Sequence, residues 1–346
     1  MRTPEVFIAG LGVCLPETVS VDWAVAHGRY SAEEVELHEL GGAAVAGETP
    51  APELALQAAQ EAVKRSGIPA TEVDLLLYAD SWHQGPDGWQ PQYYLQRHLI
   101  GGEALAVETK HGCNGMFSAL ELAASYLRAD PQRRTALLVA ADNFGTPLMD
   151  RWRMGPGYIA GDGASAVVLS KTPAFAELRS VCSATVAEAE ELHRAGEPLF
   201  PPGPTGGRPL DFTGRSVTYR REAMANGTGT TALFRIQQQT VVVAHRAAEE
   251  AGIALADVTR VAFMNYSREI VEQRCLAALG LPMEKSTWEF GRNLGHLGAS
   301  DQIVSLDHLV GTGELVAGDH FLMLGVGPGV TISAAVVKIL DAAPWR

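Results

Sequence analysis

The chain carries an internal duplication. Residues 61–80 read EAVKRSGIPATEVDLLLYAD and residues 246–265 read RAAEEAGIALADVTRVAFMN. Each segment gives an Ala-rich helix, a Gly-Ile stop, an acidic-Val step and an apolar strand. Gly67 and Gly252 stand 185 residues apart, and the next strands, TALLVAAD at 135–142 and HFLMLGVG at 320–327, keep that interval. Alternating helix and apolar strand implies an α/β architecture of parallel sheets covered by helices. The expected organisation is two halves, 1–172 and 173–346, packed about a pseudo-twofold as one fused, layered core.

The duplication also places chemistry. In the first half, the segment VETKHGCNGMFSALELAASYL runs from a strand through small residues into a helix at Cys113. A sulfur there meets the positive end of the helix dipole and unpaired backbone N–H groups, which favour an anionic nucleophile. The same residue also reads as a small buried cysteine that fills a gap. In the second half, the corresponding turn is FGRNLGHLGASDQ, which carries His296. A pseudo-twofold brings the two turns together, so Cys113 and His296 meet across 183 residues of sequence. An imidazole within hydrogen-bond reach of a thiol is the ordinary way to activate it.

Bulk properties narrow the function class. A net charge of −13 argues against a broad nucleic-acid or anionic-membrane surface. No apolar run is long enough for a transmembrane helix, and the opening VFIAGLGVCLP, broken by Gly and Pro, reads as a strand and turn. The four cysteines (14, 113, 182 and 275) are far apart, which fits a reducing cytoplasm and gives neither a disulfide framework nor a metal site. Residues 24–52 read as a polar surface excursion. Residues 195–230, with PLFPPGPTGG and ANGTGTT, read as a lid or entrance loop. Residues 82–98 concentrate aromatics and amides, which suits a dimer contact, a substrate-facing wall or a packed loop.

Four motifs in order, GCNG at the cysteine, GYIAGDGASAVVLS at 157–170, GHLGASDQ and GVGPGVTISAAVV, make the chain resemble the thiolase-fold condensing enzymes, most of all ketoacyl-ACP synthase III. The glycine loop is also similar to that of plant-type polyketide synthases. The resemblance spans about residues 5 to 340 and implies a layered αβαβα thiolase-like fold. Chain-elongating members use Cys, His and Asn. Here the stretch that normally holds the His reads FMNYSRE, so Met264 or Asn265 stands in its place, and His296 occupies the Asn position. The decarboxylating His–Asn pair is thus missing, while a Cys–His pair remains. That pattern resembles the ester-forming homologues of antibiotic pathways, which move malonyl or aromatic acyl groups from a carrier protein to a sugar hydroxyl.

The resemblance therefore implies an acyltransferase with Cys113 as nucleophile and His296 as base. Asp301, five residues on, is expected to orient His296, unless it only caps the following helix; Asp307 is the reserve. The backbone of Cys113 and of Gly327 or Gly329 is expected to form the oxyanion hole, since Pro328 has no N–H. Asn265 either faces the acyl cavity and bonds substrate or ends a strand. Asp162 reads as structural, and His111 either lines the site or packs. Synthase III enzymes grip coenzyme A with a Trp and an Arg in a first-half segment; residues 24–52 lack that pattern and read as shortened, which favours an acyl carrier protein as donor over acyl-CoA, with no tightly bound cofactor. The acidic carrier then needs a positive rim, drawn from Arg151, Arg153, Arg215, Arg220 and Arg221. The expected acceptor is a small molecule such as a glycosylated natural product, and the expected assembly a homodimer. A decarboxylating condensing enzyme that primes polyketide synthesis is the alternative, and a non-catalytic partner of a ketosynthase heterodimer is a third reading.

Overall fold

The computed structural model describes residues 1–201, 207, 209–227 and 229–345. Its strands are β1 (Phe7–Cys14), β2 (Thr18–Ser20), β3 (Gly42–Ala44), β4 (Leu75–Ala79), β5 (Leu105–Thr109), β6 (Thr135–Asp142), β7 (Gly163–Ser170), β8 (Ala176–Thr185), β9 (Arg260–Ala262), β10 (His320–Gly327) and β11 (Thr331–Ile339). Nine of them form one ladder in the order β5-β4-β6-β7-β1-β8-β11-β10-β9. The order mirrors itself about the β1–β8 junction, where only Phe7↔Glu177 and Ile8↔Ala176 pair. At the far edge, Ser286 bridges Val261 in parallel, opposite the place β5 takes beside β4.

The sheet departs from the expected parallel pattern. Only β4–β5, β4–β6 and β9–β10 are parallel; the other pairs are antiparallel. The reason is connectivity. β10 reaches β11 through three residues with no crossover helix, and a connection that short permits only an antiparallel neighbour.

Alternation along the strands builds the layers. Leu138 of β6 and Phe321 and Met323 of β10 point inward, into a core shared with Phe117 and Leu120 of the helix Gly115–Ala129 and with Ile303 and Leu306 of the helix Asp301–Thr312. Leu137 and Val139 point outward, against Ala55, Ala58 and Ala62 of the helix Ala51–Ser66. Leu322 and Leu324 likewise face Ala244, Ala247 and Ala248 of the helix Gly229–Ala251. Two helices thus lie between the two halves of the sheet and one outside each, an αβαβα stack. Gly10 and Gly12 let β1 approach the outer helix: a Cβ at either would fall about 2 Å from the Ala62 or Ala58 carbonyl oxygen.

Residues 24–52 are more than a surface excursion. Ala24, Tyr30, Leu40 and Ala43 form a buried cluster with Trp152 and Ile159, and β3 hangs on the 291–296 segment through Ala44 N–H to the Leu294 carbonyl. The apolar side chains concealed in this stretch are few and irregularly spaced, so no period exposes them. The 195–230 stretch supplies the helix Phe212–Ala225, while its positions 202–206, 208 and 228 lie outside the described residues. No helix among the described residues is long and apolar enough to cross a membrane.

Candidate active site

Cys113 sits in a short 3-10 turn, Gly112–Asn114, between β5 and the helix Gly115–Ala129. The turn requires Gly112: its φ is +52°, and a Cβ there would lie 2.6 Å from Pro328 Cδ. Asn114 locks the turn to the second half. It is fully buried, and its Nδ2 donates to the Thr331 carbonyl at 2.7 Å. Gly325 and Gly327 make room for it, since a Cβ at either would crowd the Asn114 side chain.

The opposite turn is held by the 157–163 segment. His296 N–H donates to the Ile159 carbonyl at 2.7 Å, and Gly161 N–H to the His296 carbonyl at 2.9 Å. The imidazole then spans two partners. Nε2 lies 2.9 Å from Cys113 Sγ, and Nδ1 lies 2.5 Å from Asp301 Oδ2. Asp301 is wholly buried and also accepts from Asn265 N–H at 3.0 Å and Leu297 N–H at 2.8 Å. Burial opposes a charge on His296, but the interactions of an imidazolium with Cys113 and Asp301 outweigh it and hold the imidazole's proton affinity well above the ordinary value. Sulfur, imidazole and carboxylate thus form one relay, although the first and the other two come from opposite halves.

Other expected residues lie elsewhere. Asn265 does not line the cavity. Its Nδ2 donates to the Gly295 carbonyl at 2.9 Å, so both its polar contacts brace the His296–Asp301 turn. Asp307 pairs with Arg65 at 2.6 Å. His111 is tied between Ser118 Oγ and Thr331 Oγ1. Gly327 backs onto Asn114 and the His111 carbonyl, and the glycine loop offers the cavity Val326, Pro328 and Val330 instead of Gly327 and Gly329. Arg151 is no rim residue: it forks onto the buried Asp162, with both nitrogens at 2.9 Å. Asp162 also accepts from the Ala46 and Phe144 N–H groups, pinning three segments beside the His296 turn. Arg153 approaches Asp150, and Arg215 approaches Glu197. Arg220 is exposed at the cavity, where Arg274 also lies. The 82–98 segment contributes nothing to that wall; its Gln84 bonds Tyr78 and the Ala141 carbonyl.

Cys113 opens into a cavity of about 240 Å³. Tyr158 and Tyr266 stack with ring centroids 4.7 Å apart, and both meet the His296 ring edge-on at 5.4 and 5.2 Å. They keep water from the imidazole and fix its plane. Sequence reasoning missed both, although Tyr158 lies in the 157–170 motif and Tyr266 directly follows Asn265. Part of the remaining wall comes from Leu192 and His193, from Phe212 and Ser216, and from Leu233, Ile236 and Thr240.

Residues 107–186 match the family model for 3-oxoacyl-[acyl-carrier-protein (ACP)] synthase III, and residues 248–339 match the model for its C-terminal part. A solved structure described as the acyltransferase ChlB3 is 66% identical, covering 99% of this chain and 100% of that one, with a TM-score of 0.94. The chain belongs to the thiolase-fold ketoacyl-ACP synthase III-like family. This synthase III-like chain is also 25% identical over 291 residues to a beta-ketoacyl-[acyl-carrier-protein] synthase III of Clostridium perfringens, covering 83% of this chain and 84% of the relative. The 3-oxoacyl-[acyl-carrier-protein] synthase III of Aquifex aeolicus shares its fold at 21% identity, with a TM-score of 0.78 over 96% of this chain and 99% of that one. The synthase III-like chain is an acyl-transferring enzyme of this type.

Proposed function

We propose that the protein takes an acyl group, malonyl or aromatic, from an acyl carrier protein or coenzyme A onto Cys113 and passes it to a hydroxyl or amine of a sugar or other natural-product acceptor, without decarboxylation. The observation that carries this reading is the relay with spacings of 2.9 and 2.5 Å. In the first step Cys113 gives its proton to His296 Nε2, and the sulfur attacks the donor's thioester carbonyl. As the tetrahedral intermediate collapses, the donor thiolate leaves and takes the proton from His296. In the second step Nε2 accepts the acceptor's O–H proton while its oxygen attacks the acyl-enzyme, and that proton returns to the departing sulfur. Asp301 holds Nδ1–H and so keeps the Nε2 lone pair on the reacting side.

The loss of a second side-chain donor supports transfer over condensation. Asn265, in or beside the position of the missing His, is spent on the Gly295 carbonyl, and a single oxyanion donor is worth roughly 3–4 kcal/mol to a developing negative oxygen. The backbone N–H of Cys113 is assigned to the thioester oxyanion. On this reading residues 1–172 supply the nucleophile and residues 173–346 the base. Exposed Arg220, Arg221 and Arg274 support an acidic carrier as donor. Leu105 and Val107, 52% and 36% exposed on the edge strand β5, support a homodimer formed there. Four free cysteines fit a cytoplasmic enzyme of an antibiotic or polyketide pathway.

The test is intact-mass spectrometry after incubation with malonyl- and benzoyl-loaded carrier protein. One acyl mass is expected on the wild type and none on C113A, with discharge on adding a polyhydroxylated acceptor. Loading that survives C113A overturns the reading. Condensation is the second reading, favoured by the synthase name of the Clostridium relative; it requires carbon dioxide release from malonyl-carrier at the rate of product formation.

A further inference from the structure

His193 takes no part in the relay. It ends the 3-10 segment Ala187–His193 and lines the same cavity as Cys113. Its ring meets Phe212 edge-on, with centroids 5.5 Å apart, which fixes the plane of the imidazole. Nδ1 is buried with no hydrogen-bond partner. Among the described residues no protein group bonds Nε2 either, and Nε2 is not one of the sealed nitrogens, so it is the one left open to the cavity. The backbone carbonyl of His193 accepts from Arg215 Nη1 at 3.0 Å. Burial and the neighbouring Arg215 charge both disfavour protonation, so the ring stays neutral near pH 7. A neutral imidazole carries one donor and one acceptor. Leaving both idle in a wall rich in apolar side chains, Leu192, Phe212, Leu233 and Ile236 among them, is costly unless a ligand uses one of them. Ser216 lines the same cavity, and its hydroxyl has no protein partner among the described residues.

We infer that His193 is a specificity-determining residue of the acyl cavity, its Nε2 forming a hydrogen bond with a hydroxyl or carbonyl oxygen carried by the acyl group. The acyl class is thereby narrowed from any compact chain to one with an oxygen substituent beyond the thioester. This rests on the acyl-enzyme reading above and deepens it. A hydrocarbon acyl group would leave the imidazole unsatisfied once water is displaced, and the site would reject it for that reason.

The experiment measures the rate of Cys113 acylation, by intact mass, from N-acetylcysteamine thioesters matched except for one oxygen. The set is benzoyl against its 2-, 3- and 4-hydroxy isomers, and butyryl against 3-hydroxybutyryl. The wild type is expected to load at least one hydroxylated member about tenfold faster than its parent, as one neutral hydrogen bond gives. H193F keeps the aromatic contact with Phe212 and is expected to bring that ratio to about one. H193Q, which restores a donor and an acceptor, is expected to recover part of the ratio. A ratio unchanged in H193F overturns the inference, as does a wild type that loads every member equally, and both leave the acyl-enzyme reading standing. No labelling of Cys113 by any thioester overturns both.

Discussion

Asp301→Asn is the sharpest perturbation of the relay, because it changes charge and almost no volume. Three N–H groups end on this carboxylate: His296 Nδ1 and Asn265 N on one oxygen, Leu297 N on the other. An amide offers one acceptor oxygen, so either flip faces its NH₂ toward a backbone N–H, and one buried bond is lost at about 1–3 kcal/mol of stability. The larger effect is on the imidazole. With the amide NH₂ on Nδ1, that nitrogen must accept, Nε2 carries the hydrogen, and no lone pair faces Cys113. The opposite flip keeps the tautomer but removes the negative charge that stabilises the imidazolium, worth about 1.5–3 kcal/mol as a charged hydrogen bond. The acylation rate at neutral pH should therefore fall by about 10²-fold, and toward about 10⁴-fold if the tautomer inverts, as in other nucleophile–base–acid sets. Rapid-quench acylation followed by intact mass between pH 6 and 10 measures it, with circular dichroism to check folding. The variant should recover toward high pH, where solution base generates the thiolate. A folded variant that loads within threefold of wild type across that range would refute the role given to Asp301.

Three further substitutions test the supports. Asn265→Ala removes the bond to the Gly295 carbonyl and should slow acylation about tenfold while leaving the preference among acyl groups unchanged; a shift in that preference would mean that Asn265 touches substrate after all. Gly112→Ala meets both a positive φ and Pro328, so denaturant unfolding should show a loss of about 1–3 kcal/mol together with poor loading; wild-type stability would contradict the strain. Asp80 is buried, and burial, its hydrogen bond with Glu108 and the Asp142 charge raise its pKa to about 8 despite Lys110. A raised acid favours the fold when protonated: that stability is complete below the unfolded value near 3.9 and is lost as pH rises through about 8. Asp80→Asn should therefore gain melting temperature relative to wild type as pH rises from 5 to 8 and hold the gain above, and parallel curves would exclude Asp80 as the source.

The duplicated helix–strand units made much of the core legible, because strands such as β4 and β6 are buried on both faces and read as continuous apolar runs. Cys113 and His296 were legible through the same duplication, which sets two turns opposite each other. Asp301 was visible only as a choice between relay and cap, since nothing local distinguishes a carboxylate that meets a ring from one that begins a helix. The antiparallel strands were hidden because direction depends on how the chain returns, not on composition. The tyrosine stack on His296 was hidden because its members lie 108 residues apart by number, Tyr158 and Tyr266, with no shared motif. Asn265 and Arg151 were misplaced for a common reason: a side chain that braces a turn has the same letter as one that faces a ligand, and only the position of the carbonyl or carboxylate it reaches decides.

One part of the cavity wall has an origin separate from the relay. Cys113, and the ring and carboxylate buried behind it, come from turns beside the central helices, whereas Leu192, His193, Phe212, Ser216 and Leu233 come from one excursion between β8 and β9. None of these five side chains hydrogen-bonds the sulfur, ring or carboxylate, so each can change without removing a contact of the relay. Kindred enzymes can thus carry different freight on the same engine, and grafting this one stretch between them is the direct route to exchanging what is delivered.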